Sequence, residues 1–324
     1  MSITIGWGPD RLSCNREIYG DASGMLPSGH DQRFACWWAW AERHGLNRAE
    51  YLLPQLRVTT SIAPFSFEQR FVRDNLPEPA PEQVRRLGPW AYQVEMGRVS
   101  TLGARNAADW TYHRYRNSLL IDTISHIAGD SATTLSVLDV ACHCGLFTLE
   151  LGERGFGQVT GLDLRARNID QAYFLADTFG VRAPAFRVMN ARELGNVAPV
   201  DIVLCAGLLY RVTFPLELLR NLFAMSREFL VLDSLCHNYP LSAFHPVCGK
   251  NVDYSAEGET HYELHPTYRA LCDALYAVGF TTVYELIGDL APEVPHYAQG
   301  NVRSFVAAKN DAGLLSDFLR RLSR

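Results

Sequence analysis

The chain has 324 residues, of which 48% are hydrophobic and 20% charged. That composition excludes intrinsic disorder as the main state, and the length suits one large domain or two modest ones. Against 35 acidic residues stand 30 basic ones, a formal charge of −5 with no long basic run, which argues against a protein that grips nucleic acid through its phosphates.

The first residues lack a basic segment followed by an apolar one, and no apolar run approaches the ~20 residues a membrane span needs. The expected location is therefore the cytoplasm. The 8 cysteines are scattered with no Cys-x-x-Cys pair, as expected of free thiols in a reducing compartment and not of a structural zinc site. Within residues 1–100 the clearest element is a helix around Gln32–His44, whose Trp37, Trp38 and Trp40 read as packing residues. Pro77, Pro79 and Pro81 follow as a linker or a helix start, and then the aromatic segment Trp90–Gly97. This part reads as a largely helical N-terminal extension.

From Trp110 the character changes. Trp110–Ala128 reads as a helix carrying Arg114 and Arg116 near its start. Strands are then expected at Ser136–Ala141, Gln158–Leu162, Ala185–Val188, Asp201–Cys205, Phe229–Asp233, Thr282–Leu286 and Arg303–Ala308. Helices are expected between them at Phe147–Arg154, Arg167–Phe179, Leu216–Met225 and Pro266–Val278. The early strands are continuous apolar runs, the mark of a parallel sheet covered on both faces. The fold class is thus α/β, a Rossmann-like doubly wound seven-stranded sheet, with its ligand at the carboxyl ends of the strands. The expected divisions are a cap over 1–100, a ligand-binding domain over 101–310 and a C-terminal helix over 311–324.

Four elements carry the chemistry. Val137–Phe147 is a buried strand that turns directly into a helix, which sets backbone N–H groups against a polar ligand group. Gly161-Leu-Asp-Leu164 ends the next strand in a carboxylate placed to accept hydrogen bonds from ribose hydroxyls. Met189-Asn190-Ala191 offers a side-chain amide after the third strand. Cys205-Ala-Gly207 ends the fourth in small residues that let a flat ligand approach the backbone.

In this order and spacing the four elements resemble the class I S-adenosylmethionine-dependent methyltransferases, over roughly Trp110–Lys309. Leu209-Tyr-Arg211, Phe214-Pro-Leu216 and Leu219 resemble the segment after the fourth strand in many members, and Val302–Lys309 resembles the family's closing antiparallel strand. In detail the chain is most similar to the branch related to wobble-uridine tRNA carboxymethyltransferases, which also has an aromatic–arginine helix before the first strand. The resemblance implies S-adenosylmethionine as cofactor. Asp139, Ala141, His143 and Gly145 would lie at its methionine end, Asp163 with Leu164 at the ribose, Asn190 and Ala191 at the adenine, and Cys205 and Ala206 along the floor. Arg116 would pair with the cofactor carboxylate or a substrate acid, or would lie on a solvated or salt-bridged face. The family motif has glycines where Ala141 and His143 stand, so a positive φ at His143 would be strained; alternatively its ring contacts the cofactor carboxylate.

Methyl transfer by in-line displacement needs a base only if the acceptor must lose a proton, and Tyr210 and His237 are the candidates for the acceptor side. Read without the resemblance, His113, His237, His245 and His261 are each expected at the surface or satisfied in the interior. The expected acceptor is a small molecule, roofed by the N-terminal aromatic segment and the Cys236–Glu263 insertion, in a protein with no metal and a possible homodimer. The rival expectations are cofactor chemistry that releases methylthioadenosine, tRNA modification, a non-enzymatic binding module, and nicotinamide binding. The missing Gly-x-Gly-x-x-Gly counts against the last.

Overall fold

The computed structural model describes residues 53–58, 78–101, 107–182, 184–237, 239, 241–248, 262–310 and 312–322. The expected Gln32–His44 helix lies outside them. Described elements before the central fold are β1 (Gln55–Val58), α1 (Pro81–Leu87), the two-residue strands β2 (Glu95–Met96) and β3 (Val99–Ser100), and α2 (Ala107–Ala128). Strands and helices then alternate: β4 (Ser136–Val140), α3 (Leu146–Glu153), β5 (Gln158–Asp163), α4 (Ala166–Phe179), β6 (Ala185–Val188), β7 (Val200–Ala206), α5 (Pro215–Met225) and β8 (Ser226–Leu235). A hairpin, β9 (Phe244–Cys248) and β10 (Tyr262–Pro266), precedes α6 (Tyr268–Ala277), β11 (Thr282–Gly288), the short α7 (Pro295–Ala298), β12 (Val302–Ala308) and α8 (Leu314–Leu322).

The main sheet has eight strands in the order β1-β11-β12-β8-β7-β4-β5-β6. Seven are those expected, and β12 is antiparallel to both neighbours, β11 and β8. The eighth is β1, which adds to the far edge in parallel with β11 from Gln55↔Glu285 to Val58↔Gly288. Its burial alternates along only four residues, too short a pattern to stand out in a sequence. The chain direction reverses its order at β4, with β5 on one side and β7 on the other, which is where a doubly wound sheet opens a crevice.

The period-2 geometry of the strands divides the core between two faces. Leu138, Val140, Val203, Leu230 and Leu232 pack with Leu218 and Leu222 of α5 and Leu271 and Leu275 of α6. Val137, Ile202, Leu204 and Val231 face the other way, against Leu120 and Ile124 of α2, Phe147 of α3 and Leu315 of α8. A third cluster joins α4 (Ile169, Ala172, Phe179) to Val84, Trp90, Val94 and Met96, so part of the N-terminal extension is wrapped onto the domain. The helices start and stop where local chemistry directs: Pro215 sits at the first turn of α5, the Thr267 side chain accepts from Ala270 N–H to cap α6, and Gly180 ends α4 at φ 63°.

Candidate functional site

The turn from β4 into α3 is the most constrained stretch of the site. Ala141 (φ 63°) and His143 (φ 54°) hold left-handed conformations, and Gly145 follows at φ 78°. These are the three alternate positions where the related motif carries glycine. A side chain in this region costs about 1–3 kcal/mol, so the turn must be held from outside. Cys142 N–H donates to Leu162 O (2.8 Å), His143 N–H to Asp163 Oδ2 (3.0 Å), and Cys144 N–H to the His143 ring at Nδ1 (2.7 Å). Gly145 has a reason of its own: a Cβ there would stand 2.6 Å from the Phe186 ring.

Asp163 therefore organises the turn as well as facing the crevice. Its Oδ1 accepts from Arg165 N–H and Asn168 Nδ2, both at 2.9 Å, while its Oδ2 takes the His143 N–H. An ionised carboxylate has about four acceptor sites, so one lone pair, on Oδ2, is left for a hydroxyl. Burial pushes the Asp163 carboxyl above its ordinary value, and these three donors oppose the shift. Asp139, buried one turn of chain earlier, accepts from Thr148 Oγ1 at 2.7 Å; desolvation raises its pKa to about 7.

Two clefts meet at Ala141. The larger, open to solvent, has Asp163, Leu164, Arg165, Asn190 and Ala191 on one side and Leu208, Val212 and Phe214 on the other. Its walls are mostly aliphatic, as a flat heterocycle requires. Asn190 Oδ1 already accepts from Arg192 N–H (2.9 Å), capping the 3-10 turn Ala191–Asn196, so any further acceptor role falls to its second lone pair.

The smaller cleft, about 320 Å³, is lined by Tyr92, His113, Arg116, His143 and Ala206 among others. Arg116 is 5% exposed, which removes the solvated-face expectation. Its Nη2 donates to the Tyr92 hydroxyl at 2.9 Å and its Nη1 lies 3.7 Å from Asp233 Oδ1. Among the described residues its Nε meets no acceptor. Gly207, at φ 79°, brings the backbone close to this cation: a Cβ there would lie 3.2 Å from Arg116 Nη1. Asp233 is held in turn by the Tyr297 hydroxyl and Ser304 Oγ, both at 2.7 Å.

The structure brings Asp139, Ala141, His143, Gly145, Asp163 and Leu164 together around the β4 and β5 ends, with Asn190 and Ala191 across the larger cleft and Arg116 and Ala206 in the smaller one. Cys205 is fully buried in the core beneath them. Tyr210 and His237 belong to a separate group. The Tyr210 hydroxyl accepts from Arg211 Nε (3.1 Å), Arg211 Nη1 reaches Glu263 Oε1 (3.3 Å), and Glu263 Oε2 pairs with His265 Nε2 (2.7 Å). His237 lies 5.5 Å from the His265 ring and 5.7 Å from that of His245. Glu263, held below its ordinary pKa by the His265 hydrogen bond and the Arg211 charge against its own burial, is the anion at the centre. Among the described residues no group of three or more His, Cys, Asp or Glu could hold a metal.

Tyr92, Glu263 and His265 were missed from the sequence. Tyr92 sat in the aromatic segment already noted, but its partner Arg116 is 24 residues away. Glu263 and His265 reach Arg211 and Tyr210 only because a hairpin folds back, and nothing local signals that.

A family profile described as a methyltransferase domain matches residues 112–285, more than half of the chain. The chain belongs to this family. It is an S-adenosylmethionine-dependent methyltransferase, with the cofactor that the sequence resemblance implied. Among solved structures, the methyltransferase is similar in fold to the N-terminal domain of EvdMO1 crystallised with SAH and D-fucose: 19% identity, TM-score 0.54, 76% of this chain and 98% of that one. A magnesium protoporphyrin IX methyltransferase from Synechocystis PCC 6803 with bound SAM matches at 15% identity and a TM-score of 0.46, over 75% of this chain and 97% of that one. No curated protein matches the sequence significantly.

The residues of the two clefts fit this cofactor. One acceptor site on Asp163, an aliphatic slot, and a buried arginine with an unmet Nε–H together suit ribose, adenine and an amino-acid carboxylate.

Proposed function

We propose that the enzyme methylates a small molecule, with Asp163 and Leu164 at the cofactor ribose, Asn190 and Ala191 at the adenine, and Asp139, Ala141, His143, Gly145 and Arg116 at the methionine end. Ala206, over the buried Cys205, floors the passage between. The bound cofactor supplies an activated methyl group on a sulfonium. The chain's own task is to hold the acceptor in line and keep water out.

The observation that carries the small-molecule reading is the roof. From one side the N-terminal segment lays the Tyr92 hydroxyl on Arg116; from the other the β9–β10 hairpin ties Glu263 to Arg211, beside Tyr210. Beside the hairpin contact the Tyr210 ring lies 5.4 Å from that of His265, and the His265 ring 5.5 Å from that of His237. Tyr210 orients the acceptor, and the histidine group of His237 and His265 takes its proton where one must leave. Glu263 holds His265 through Nε2, which leaves Nδ1 as the basic nitrogen.

In this reading residues 1–100 cap a domain over 101–310 and residues 311–324 form the closing helix. The cytoplasm is the compartment that suits the free thiols of the six described cysteines. The finer likeness to the wobble-uridine branch rests on the aromatic–arginine pattern of α2 and implies a tRNA acceptor, which the same experiment tests. Protein incubated with methyl-labelled S-adenosylmethionine and a cell extract is expected to put label into the low-molecular-weight fraction and release S-adenosylhomocysteine. Label in tRNA would contradict the small-molecule reading, and methylthioadenosine as the product would contradict methyl transfer itself.

A further inference from the structure

Tyr210, Arg211, Glu263 and His265 form one hydrogen-bonded chain between the turn after β7 and the β9–β10 hairpin. Arg211 Nε donates to the Tyr210 hydroxyl at 3.1 Å and its Nη1 reaches Glu263 Oε1 at 3.3 Å, while His265 Nε2 stands 2.7 Å from Glu263 Oε2. An ionised carboxylate only accepts, which assigns the neutral His265 ring its proton on Nε2 and its lone pair on Nδ1. The two ends of the chain are uncommitted and opposite in kind. Among the described residues nothing takes the Tyr210 hydroxyl proton and nothing donates to His265 Nδ1. The two rings are edge-on, with centres 5.4 Å apart. They also border the cofactor clefts: a Cβ at Gly207 would stand 3.9 Å from the Tyr210 hydroxyl oxygen and 3.2 Å from Arg116 Nη1, a residue of the smaller cleft.

One donor beside one acceptor selects a group that is both. A hydroxyl accepts from Tyr210 with one lone pair, offers its proton to Nδ1 and keeps a second lone pair for a new bond. A carboxylate has no proton for Nδ1. A neutral amine has a single lone pair, which the Tyr210 donor would occupy, and a thiol hydrogen-bonds weakly at both ends. We propose that the methyl acceptor is a hydroxyl oxygen, held between the Tyr210 O–H and His265 Nδ1. The inference rests on the small-molecule reading of this site and adds the acceptor atom to it. The acceptor oxygen gives its proton to His265 Nδ1 and forms its bond to the methyl carbon, as the carbon–sulfur bond breaks with its electron pair left on sulfur. The positive charge ends on the imidazole, against Glu263. His265 is the base, and Glu263 and Arg211 are positioning residues that act through His265 and Tyr210.

The test supplies the protein with S-adenosylmethionine isotope-labelled at the methyl carbon and with the low-molecular-weight fraction of a cell extract. The product is expected to show the carbon NMR shift of a methyl ether and to keep its label in alkali, which hydrolyses methyl esters. A methyl group on nitrogen, sulfur or carbon, an alkali-labile ester, or no product from protein that binds the cofactor would overturn the proposal. Label in tRNA or release of methylthioadenosine would instead remove the reading beneath it. A second readout needs no acceptor: nitrogen NMR of the histidine rings, with the His265 signals assigned by their loss in His265→Gln, is expected to show the neutral ring protonated on Nε2, and a proton on Nδ1 would overturn the proposal. With the product identified, His265→Gln is expected to lose about a hundredfold in kcat and Glu263→Gln about tenfold at unchanged KM, both with S-adenosylhomocysteine affinity intact by calorimetry. An unaltered kcat, or a loss of rate matched by a loss of S-adenosylhomocysteine affinity, would show that the chain only supports the fold.

Discussion

Asp139 is 1% exposed, near the end of β4, with one neutral donor, Thr148, on its carboxylate. Burial raises its pKa to about 7, well above the ~3.9 of a free aspartate. The folded protein therefore holds a proton there that the unfolded chain has released over the window from about pH 4 to about pH 7. The stability tied to this proton is fully present below pH ~4 and is lost as pH rises through about 7. Asp139→Asn keeps an acceptor for Thr148 and has no charge to bury. Scanning calorimetry should show the variant gaining on the unaltered protein with each step from pH 5 to pH 8; parallel melting curves would show that Asp139 ionises freely in the folded state. At this scale the site was partly legible. Asp163, Asn190 and Ala191 could be placed because each follows a strand that declares itself, and a residue after a parallel strand has nowhere to go but the crevice. The positive φ at His143 was readable as a question, since the motif demanded glycine there. That Asp163 would also hold the turn, and that the His143 ring would accept from Cys144, depended on geometry that spacing does not encode.

Elements with a continuous apolar run or a clear 3.6-residue stripe were found to within three residues at either end, because burial on two faces leaves a strong mark in composition. The β9–β10 hairpin was not. Its strands contain Pro246 and end on Pro266, and proline counts against a strand. β1 was missed because four alternating residues are also what a loop can show. Yet β1 is tied firmly to the sheet edge: Leu53 N–H donates to the Tyr268 hydroxyl at 3.1 Å, and that hydroxyl donates to Glu285 Oε2 at 3.3 Å. Glu285 is 1% exposed and makes a close ion pair with Arg303, whose guanidinium also lies 5.0 Å from the Tyr268 ring centre. Removing one partner of such a pair leaves the other charge buried and uncompensated. Glu285→Leu is expected to lower stability by about 3–5 kcal/mol in urea unfolding, and the double change Glu285→Leu with Arg303→Met to recover most of it. A double variant as unstable as the single one would show that shape, and not the stranded charge, dominates at this edge.

At the scale of the whole molecule, the order of the strands decides where chemistry is possible. Reversal at β4 opens the crevice, three successive strand ends deliver Asp163, Asn190 and the small-residue close of β7 to its rim, and α2 brings Arg116 across its mouth. The alternation of strands and helices made this architecture readable from the sequence, whereas the roof was not, since Tyr92 and Glu263 arrive through contacts between segments far apart in the chain. The central claim is that this crevice holds S-adenosylmethionine, and calorimetric titration with that cofactor tests it most directly. Three proteins serve: the unaltered chain, Asp163→Ala, and Ala191→Trp, which fills the same cleft without touching the Asp163 hydrogen bonds. Each variant is first shown to be folded by its thermal melt. The account predicts saturable binding at one site per chain, abolished or severely weakened in both variants. Undiminished binding by the two folded variants would place the cofactor elsewhere, and no binding by the unaltered protein would contradict the account outright.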